Sequence, residues 1–148
     1  MRTIFFDLDG TLADLYGVTN WLDYLRNSDP TPYAQAAVMH NMSLLARYLN
    51  ALQKAGYKLG IISWLSRNST PTYDAEVTQA KLIWLRRHLS SVSWDEIHIV
   101  SYGTPKDNFR LNLDDILFDD EQKNRDEWHG ISYPPNDIFT ILKELAAG

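Results

Sequence analysis

Residues 3–14, TIFFDLDGTLAD, hold a short apolar run that ends in two aspartates one residue apart, followed at once by glycine and threonine. Ile4, Phe5 and Phe6 read as a short, fully buried strand. Asp7 and Asp9 would repel each other at its end unless something cationic lay between them. The strand needs a sheet to bury it, and the acids need a cation to hold them together.

Beyond it, helices and strands alternate along the chain. Residues 15–32, LYGVTNWLDYLRNSDPTP, predict a short helix that gives way to a proline-containing loop at Ser28 to Pro32. Residues 34–56 predict a helix with Val38, Met42, Leu45, Leu49 and Leu52 on one side and Gly56 as its C-terminal stop. YKLGIIS, 57–63, is a second buried strand. A helix is expected from about Asp74 to Leu89, a strand near Ile97 to Ser101, another in DDILFDD, a helix closing at Gly130, a short strand in ISY and a C-terminal helix in NDIFTILKELAA. Strands alternating with helices imply an α/β fold, a three-layer, Rossmann-like parallel sheet flanked by helices, with ligands at the carboxyl ends of the strands. At 148 residues, a single domain over 1–148 is expected.

The composition is that of an ordinary globular protein, 45% apolar and 22% charged, with 14 basic and 19 acidic residues and a net charge of −5. That balance disfavours a broad nucleic-acid surface. There are no cysteines, so disulfides, thiolate metal sites and a cysteine nucleophile are excluded. The first apolar run stops at Phe6 and no stretch approaches a membrane span, so no leader and no membrane are expected, and the location expected is cytoplasmic.

Three buried runs end in polar groups: Asp7 and Asp9 after the first, Ser63 after the second, and Asp119 and Asp120 after ILF. In a parallel sheet those ends share an edge, so distant acids can meet in one site. Oxygen ligands without a His or Cys cluster suit Mg²⁺, which takes one or two carboxylates, several waters and substrate phosphate oxygens. A calcium loop does not fit, because Gly10 falls at loop position 4 and Val18 at position 12. Asp114 and Asp115 are placed at the opposite end of their strand. His40, His88, His98 and His129 lack ligand spacing, and GTPK is no phosphate loop.

The sequence resembles the haloacid dehalogenase-like (HAD) phosphohydrolases over nearly its whole length. Their Asp-x-Asp-Gly-Thr motif stands here as Asp7, Leu8, Asp9, Gly10 and Thr11; Ser63 resembles the second motif, Lys106 in GTPKD the third, and ILFDDEQKN the fourth. The resemblance implies a Mg²⁺-dependent phosphomonoesterase in which Asp7 is the nucleophile and forms an aspartyl-phosphate. Asp9 would act as acid and then base, Ser63 would hydrogen-bond a phosphoryl oxygen, and Lys106 would offset charge. Arg67, Arg110 and Lys123 stand as alternatives to Lys106. The metal set implied is Asp7, Asp9, Asp120 and Asp119, with Asn124 in support.

In that family, inserts set specificity. Here the only room is a small helical cap around residues 14–33, which leaves the site open unless another subunit covers it. Gly10, Thr11, Trp21, Trp64 and Arg67 are expected to meet substrate, and Tyr16, Trp21, Tyr24 and Trp64 could stack on a base. The resemblance is to the small deoxyribonucleotidase branch, so a nucleoside monophosphate is the expected substrate. A polynucleotide 3′-phosphatase and a binding or regulatory module without turnover are the alternatives. Arg67, Lys81, Arg86 and Arg87 read as a local basic patch able to accept a strand end.

Overall fold

The computed structural model describes residues 2–148. In chain order, β1 (Thr3–Phe6) leads into an insert made of β2 (Ala13–Asp14), a 3-10 turn (Leu15–Gly17), α1 (Trp21–Arg26), α2 (Thr31–Gln35) and β3 (Ala37–Val38). There follow α3 (Met42–Lys54), β4 (Lys58–Trp64), α4 (Pro71–His88), β5 (Glu96–Val100), a 3-10 turn (Lys106–Phe109), β6 (Ile116–Phe118), α5 (Gln122–Glu127), β7 (Ile131–Tyr133) and α6 (Ile138–Ala147). The main sheet has the order β5-β4-β1-β6-β7 and is parallel throughout.

Strand alternation divides the core. Ile4 and Phe6 point to the face where Leu45, Leu49 and Leu52 of α3, Trp84 and Leu85 of α4, and Ile138 and Leu142 of α6 are buried. Phe5, Ile62 and Leu117 point to the other face and meet Trp128 and Phe109. A separate small core, Leu15, Tyr33, Tyr73, Val77 and Ala80, seats the insert on α4. At the amino ends of the strands, fully buried Asp115 accepts hydrogen bonds from the backbone N–H groups of Thr3, Leu111 and Asn112, while Asp114 pairs with Arg2.

Two boundaries differ from the sequence reading. The loop expected at Ser28 to Pro32 already contains the start of α2, because proline in a first helical turn lacks only an N–H that no helix bond needs. The helix expected from residue 34 starts at Met42. Asn41 caps it, its side chain accepting from the Leu44 N–H at 3.1 Å, and the residues before it are drawn into the ladder pairing Ala13 with Val38 and Asp14 with Ala37. Val38 is therefore an exposed strand residue and does not join the helical stripe. That ladder extends the insert to residues 13–38. Among the described residues, no helix is long and apolar enough to cross a membrane.

Candidate active site

β1 lies at the centre of the sheet, with β4 and β6 on either side, so the carboxyl ends of these three strands form a crevice. Phe6 is level with Phe118, and the Asp7 N–H donates to the Phe118 carbonyl at 2.9 Å, which sets Asp7 beside Asp119. Lys106, nearly fully buried, spans them: its Nζ lies 2.9 Å from Asp7 Oδ1 and 2.7 Å from Asp119 Oδ2. Burial opposes the ammonium, but Asp7 and Asp119 outweigh it and hold the Lys106 pKa above its ordinary value. Thr11 Oγ1 donates to Asp7 Oδ2 at 2.9 Å. Asp119 also accepts from the Glu121 N–H and from Asn124 Nδ2, so both of its oxygens are engaged by protein donors.

Carboxylate oxygens of Asp7, Asp119 and Asp120 lie within 4.8 Å of one another. Burial lifts Asp120 to about 8, helped by the charge of Asp7, a hydrogen bond to it, and Asp119. Asp119 rises to about 6 through burial and Asp7, against the pull of Lys106. One ammonium among three carboxylates leaves surplus negative charge and hard oxygen donors, a set that fits Mg²⁺.

The Asp9 carboxylate stands apart from this group. Its Oδ2 lies 3.1 Å from Nζ of Lys81, and Lys81 also donates to Ser63 Oγ at 2.7 Å and to the Trp64 carbonyl at 2.6 Å. Burial raises the Asp9 pKa despite Lys81, and Asp7 adds to the rise. Between the two aspartates the chain turns at Gly10, whose φ of +82° is left-handed and whose absent side chain leaves room for Asp120; a Cβ there would run into Asp120 Oδ2.

Above these groups opens a cavity of about 260 Å³. Tyr16 and Trp21 of the insert, edge to face at 5.1 Å, form one wall. Trp64 and Tyr102, with ring centroids 5.0 Å apart, form the other, and the Arg67 guanidinium lies over Tyr102 at 4.6 Å. A second groove, lined by Ser66, Asn68, Ser69 and Ser101 among others, opens off this wall at Arg67.

Of the residues singled out from sequence, Asp7, Asp9, Lys106, Asp119, Asp120, Trp21, Trp64 and Arg67 line the one cavity. Ser63 and Thr11 do not: both are fully buried behind it. Alternation along β4 turns Ser63 to the same side as Ile61, toward α4, and Thr11 is turned inward onto Asp7. Asp9, expected among the metal ligands, has its carboxylate drawn away by Lys81. Lys81 itself is no part of a surface patch, being 1% exposed. Its position gave the signal: it follows Val77 by four residues and precedes Trp84 by three, on the buried stripe of α4. Tyr102 was also missed, although it stands just past the carboxyl end of β5, on the edge where ligands are expected.

No family model matches the sequence, and no curated protein does. Solved structures match the fold. One is a chain of a Pnkp1/Rnl/Hen1 complex, at 16% identity and a TM-score of 0.58 over 90% of this chain, which spans 45% of that chain's length. Another is the D,D-heptose 1,7-bisphosphate phosphatase from Burkholderia thailandensis, at 13% identity and a TM-score of 0.54, covering 88% of this chain and 75% of that one. The fold of this chain is HAD-like, a five-stranded parallel sheet with helices on its faces.

Proposed function

We propose that this chain is a Mg²⁺-dependent phosphomonoesterase. The observation that carries the reading is the meeting of Asp7 and Asp9 in one cavity, each carboxylate anchored by its own buried lysine, with Asp119 and Asp120 alongside. Asp7 attacks phosphorus through a carboxylate oxygen, the bond from phosphorus to the leaving oxygen breaks, and Asp9 gives that oxygen its proton. The ionised Asp9 then takes a proton from water as the water attacks the aspartyl-phosphate, releasing inorganic phosphate and restoring the Asp7 carboxylate. A raised Asp9 pKa suits the first of these tasks. Lys106 and Thr11 keep the Asp7 carboxylate in one orientation, and Lys106 offsets charge on the phosphoryl group.

Asp7 and Asp120, with Asp119 behind them, would hold the cation; Asp120 is the freer ligand, since Asp119 is engaged by three protein donors. The chemistry it supplies when bound is neutralisation of charge between the nucleophile and the phosphoryl oxygens.

The substrate class is a nucleoside monophosphate. Two aromatic pairs, Tyr16 with Trp21 and Trp64 with Tyr102, line the cavity above the acids, and its volume suits a single base and sugar. The test compares kcat/KM for deoxynucleoside 5′- and 3′-monophosphates, a 3′-phosphorylated oligonucleotide and glucose 6-phosphate, with EDTA and Asp7→Asn as controls. Mononucleotides should be preferred, both controls should abolish phosphate release, and Trp21→Ala should raise KM for the nucleotide roughly 5-fold or more. Preference for the oligonucleotide would move the reading to nucleic-acid ends, for which the groove beside Arg67 offers a path. Preference for the sugar phosphate with no effect at Trp21 would reject stacking, and no release from any ester would leave a binding module.

A further inference from the structure

Lys81 and Lys106 reach the two aspartates from opposite layers of the molecule. Lys106 comes from the 3-10 turn on the face that packs Phe109, and Lys81 comes from α4 on the face that packs Trp84. An ammonium has three N–H groups and no acceptor. All three of Lys81 have partners: Ser63 Oγ at 2.7 Å, the Trp64 carbonyl at 2.6 Å and Asp9 Oδ2 at 3.1 Å. Its Nζ also sits 5.1 Å from the centre of the Tyr33 ring. Thus saturated, and outside the lining of the cavity, Lys81 has no donor left for a phosphoryl oxygen.

A charge buried this deeply is costly unless its partners hold it well. Two of these partners belong to the carboxyl end of β4, which is paired on both sides by β1 and β5, and the third is the carboxylate of Asp9, which sits on a turn past the end of β1. The ammonium therefore ties a side chain on a turn to a fixed strand. We propose that Lys81 is the positioning residue for Asp9: it holds Oδ2 against the end of β4, so that Oδ1 faces the leaving-group oxygen at the distance proton transfer needs. This rests on the phosphomonoesterase reading and adds to it a residue that acts only through Asp9.

The experiment measures kcat and KM of the wild type, Asp7→Asn, Lys81→Met, Lys81→Gln, Asp9→Asn and the double variant Asp9→Asn/Lys81→Met with Mg²⁺. One substrate is p-nitrophenyl phosphate, whose leaving group needs little protonation; the other is a deoxynucleoside monophosphate, whose alkoxide does. Lys81→Met should lower kcat on the nucleotide roughly 10²-fold with KM changed by less than about threefold, and on p-nitrophenyl phosphate by less than about fivefold. In the Asp9→Asn background the Lys81 substitution should have no further effect. Lys81→Gln keeps a donor for Ser63 or the Trp64 carbonyl and should show the same dependence on the leaving group. Equal losses on both esters, or a full loss added to that of Asp9→Asn, would overturn the positioning role. So would loss of the cooperative thermal transition in both Lys81 variants, which would assign the residue to the core. Absence of Asp7-dependent hydrolysis in the wild type would overturn the phosphatase reading, and this proposal with it.

Discussion

Burial and the charge of Asp7 raise the pKa of the Asp120 carboxyl, and that rise has measurable consequences. An unfolded aspartate titrates near 3.9, whereas burial and Asp7 hold the folded Asp120 at about 8. Between those values the folded protein keeps a proton that the unfolded chain has released, so the metal-free protein should lose stability as pH rises through that window. A bound Mg²⁺ must displace the same proton; its affinity should climb with pH and level off above about 8. Calorimetry in buffers of different protonation enthalpy near pH 6.5 should detect roughly one proton released per cation bound, and Asp120→Asn should abolish most of that release. The four acids were legible because each follows an apolar strand in which charge has no structural use. Lys81 was not, because Arg86 and Arg87 close by made it look like one more solvated cation on a helix, and only the three-dimensional neighbours Asp9 and Ser63 give its charge a purpose.

At the scale of the element, the turn Lys106–Phe109 must deliver a lysine to two carboxylates from a segment that has no strand or long helix to brace it. The brace is Asp107, which accepts from Arg110 Nε at 2.8 Å and from the backbone N–H and Nδ1 of His129 at 2.8 and 2.7 Å. Burial works against its charge, but the hydrogen bonds from Arg110 and His129 prevail and hold the carboxyl well below the usual range. Asp107→Ala should lower stability by about 1–3 kcal/mol. Because Lys106 is the adjacent residue, the same variant should also lower kcat on p-nitrophenyl phosphate while Lys106 itself is intact; a melt and a rate assay on one preparation check both. Elements with a strong period, such as the body of α3 and α6, could be read directly. The insert could not, because α2 is five residues long and is seated by Tyr33 on α4, and β3 is two residues long and owes its conformation to pairing with Ala13 and Asp14.

At the scale of the whole molecule, Phe118 joins the core to the site. Its ring stacks between Phe6 and Tyr133, at 5.2 and 5.7 Å, and the next two residues are Asp119 and Asp120. Phe118→Ala should cost about 3–5 kcal/mol, lowering the melting temperature by roughly 6–20 °C at the usual slope for a chain of this size. The strand order was legible as an alternation of buried runs and helices, whereas the grouping of side chains into separate cores was not, since it depends on which face each helix takes. That grouping has a consequence for how such a protein diversifies. The insert rests on α4 through a small core in which its Leu15 and Tyr33 meet Tyr73, Val77 and Ala80 of α4, and its two ends are held together by the two-residue ladder of β2 and β3. Replacement of the segment between Ala13 and Val38 therefore demands that the newcomer cover the apolar face of α4, give the buried Trp84 Nε1 an acceptor where the Ala36 carbonyl now stands, and keep that short ladder. Ligand preference can drift or be redesigned by exchanging a cassette of some two dozen residues, with the acids and lysines beneath it inherited unchanged.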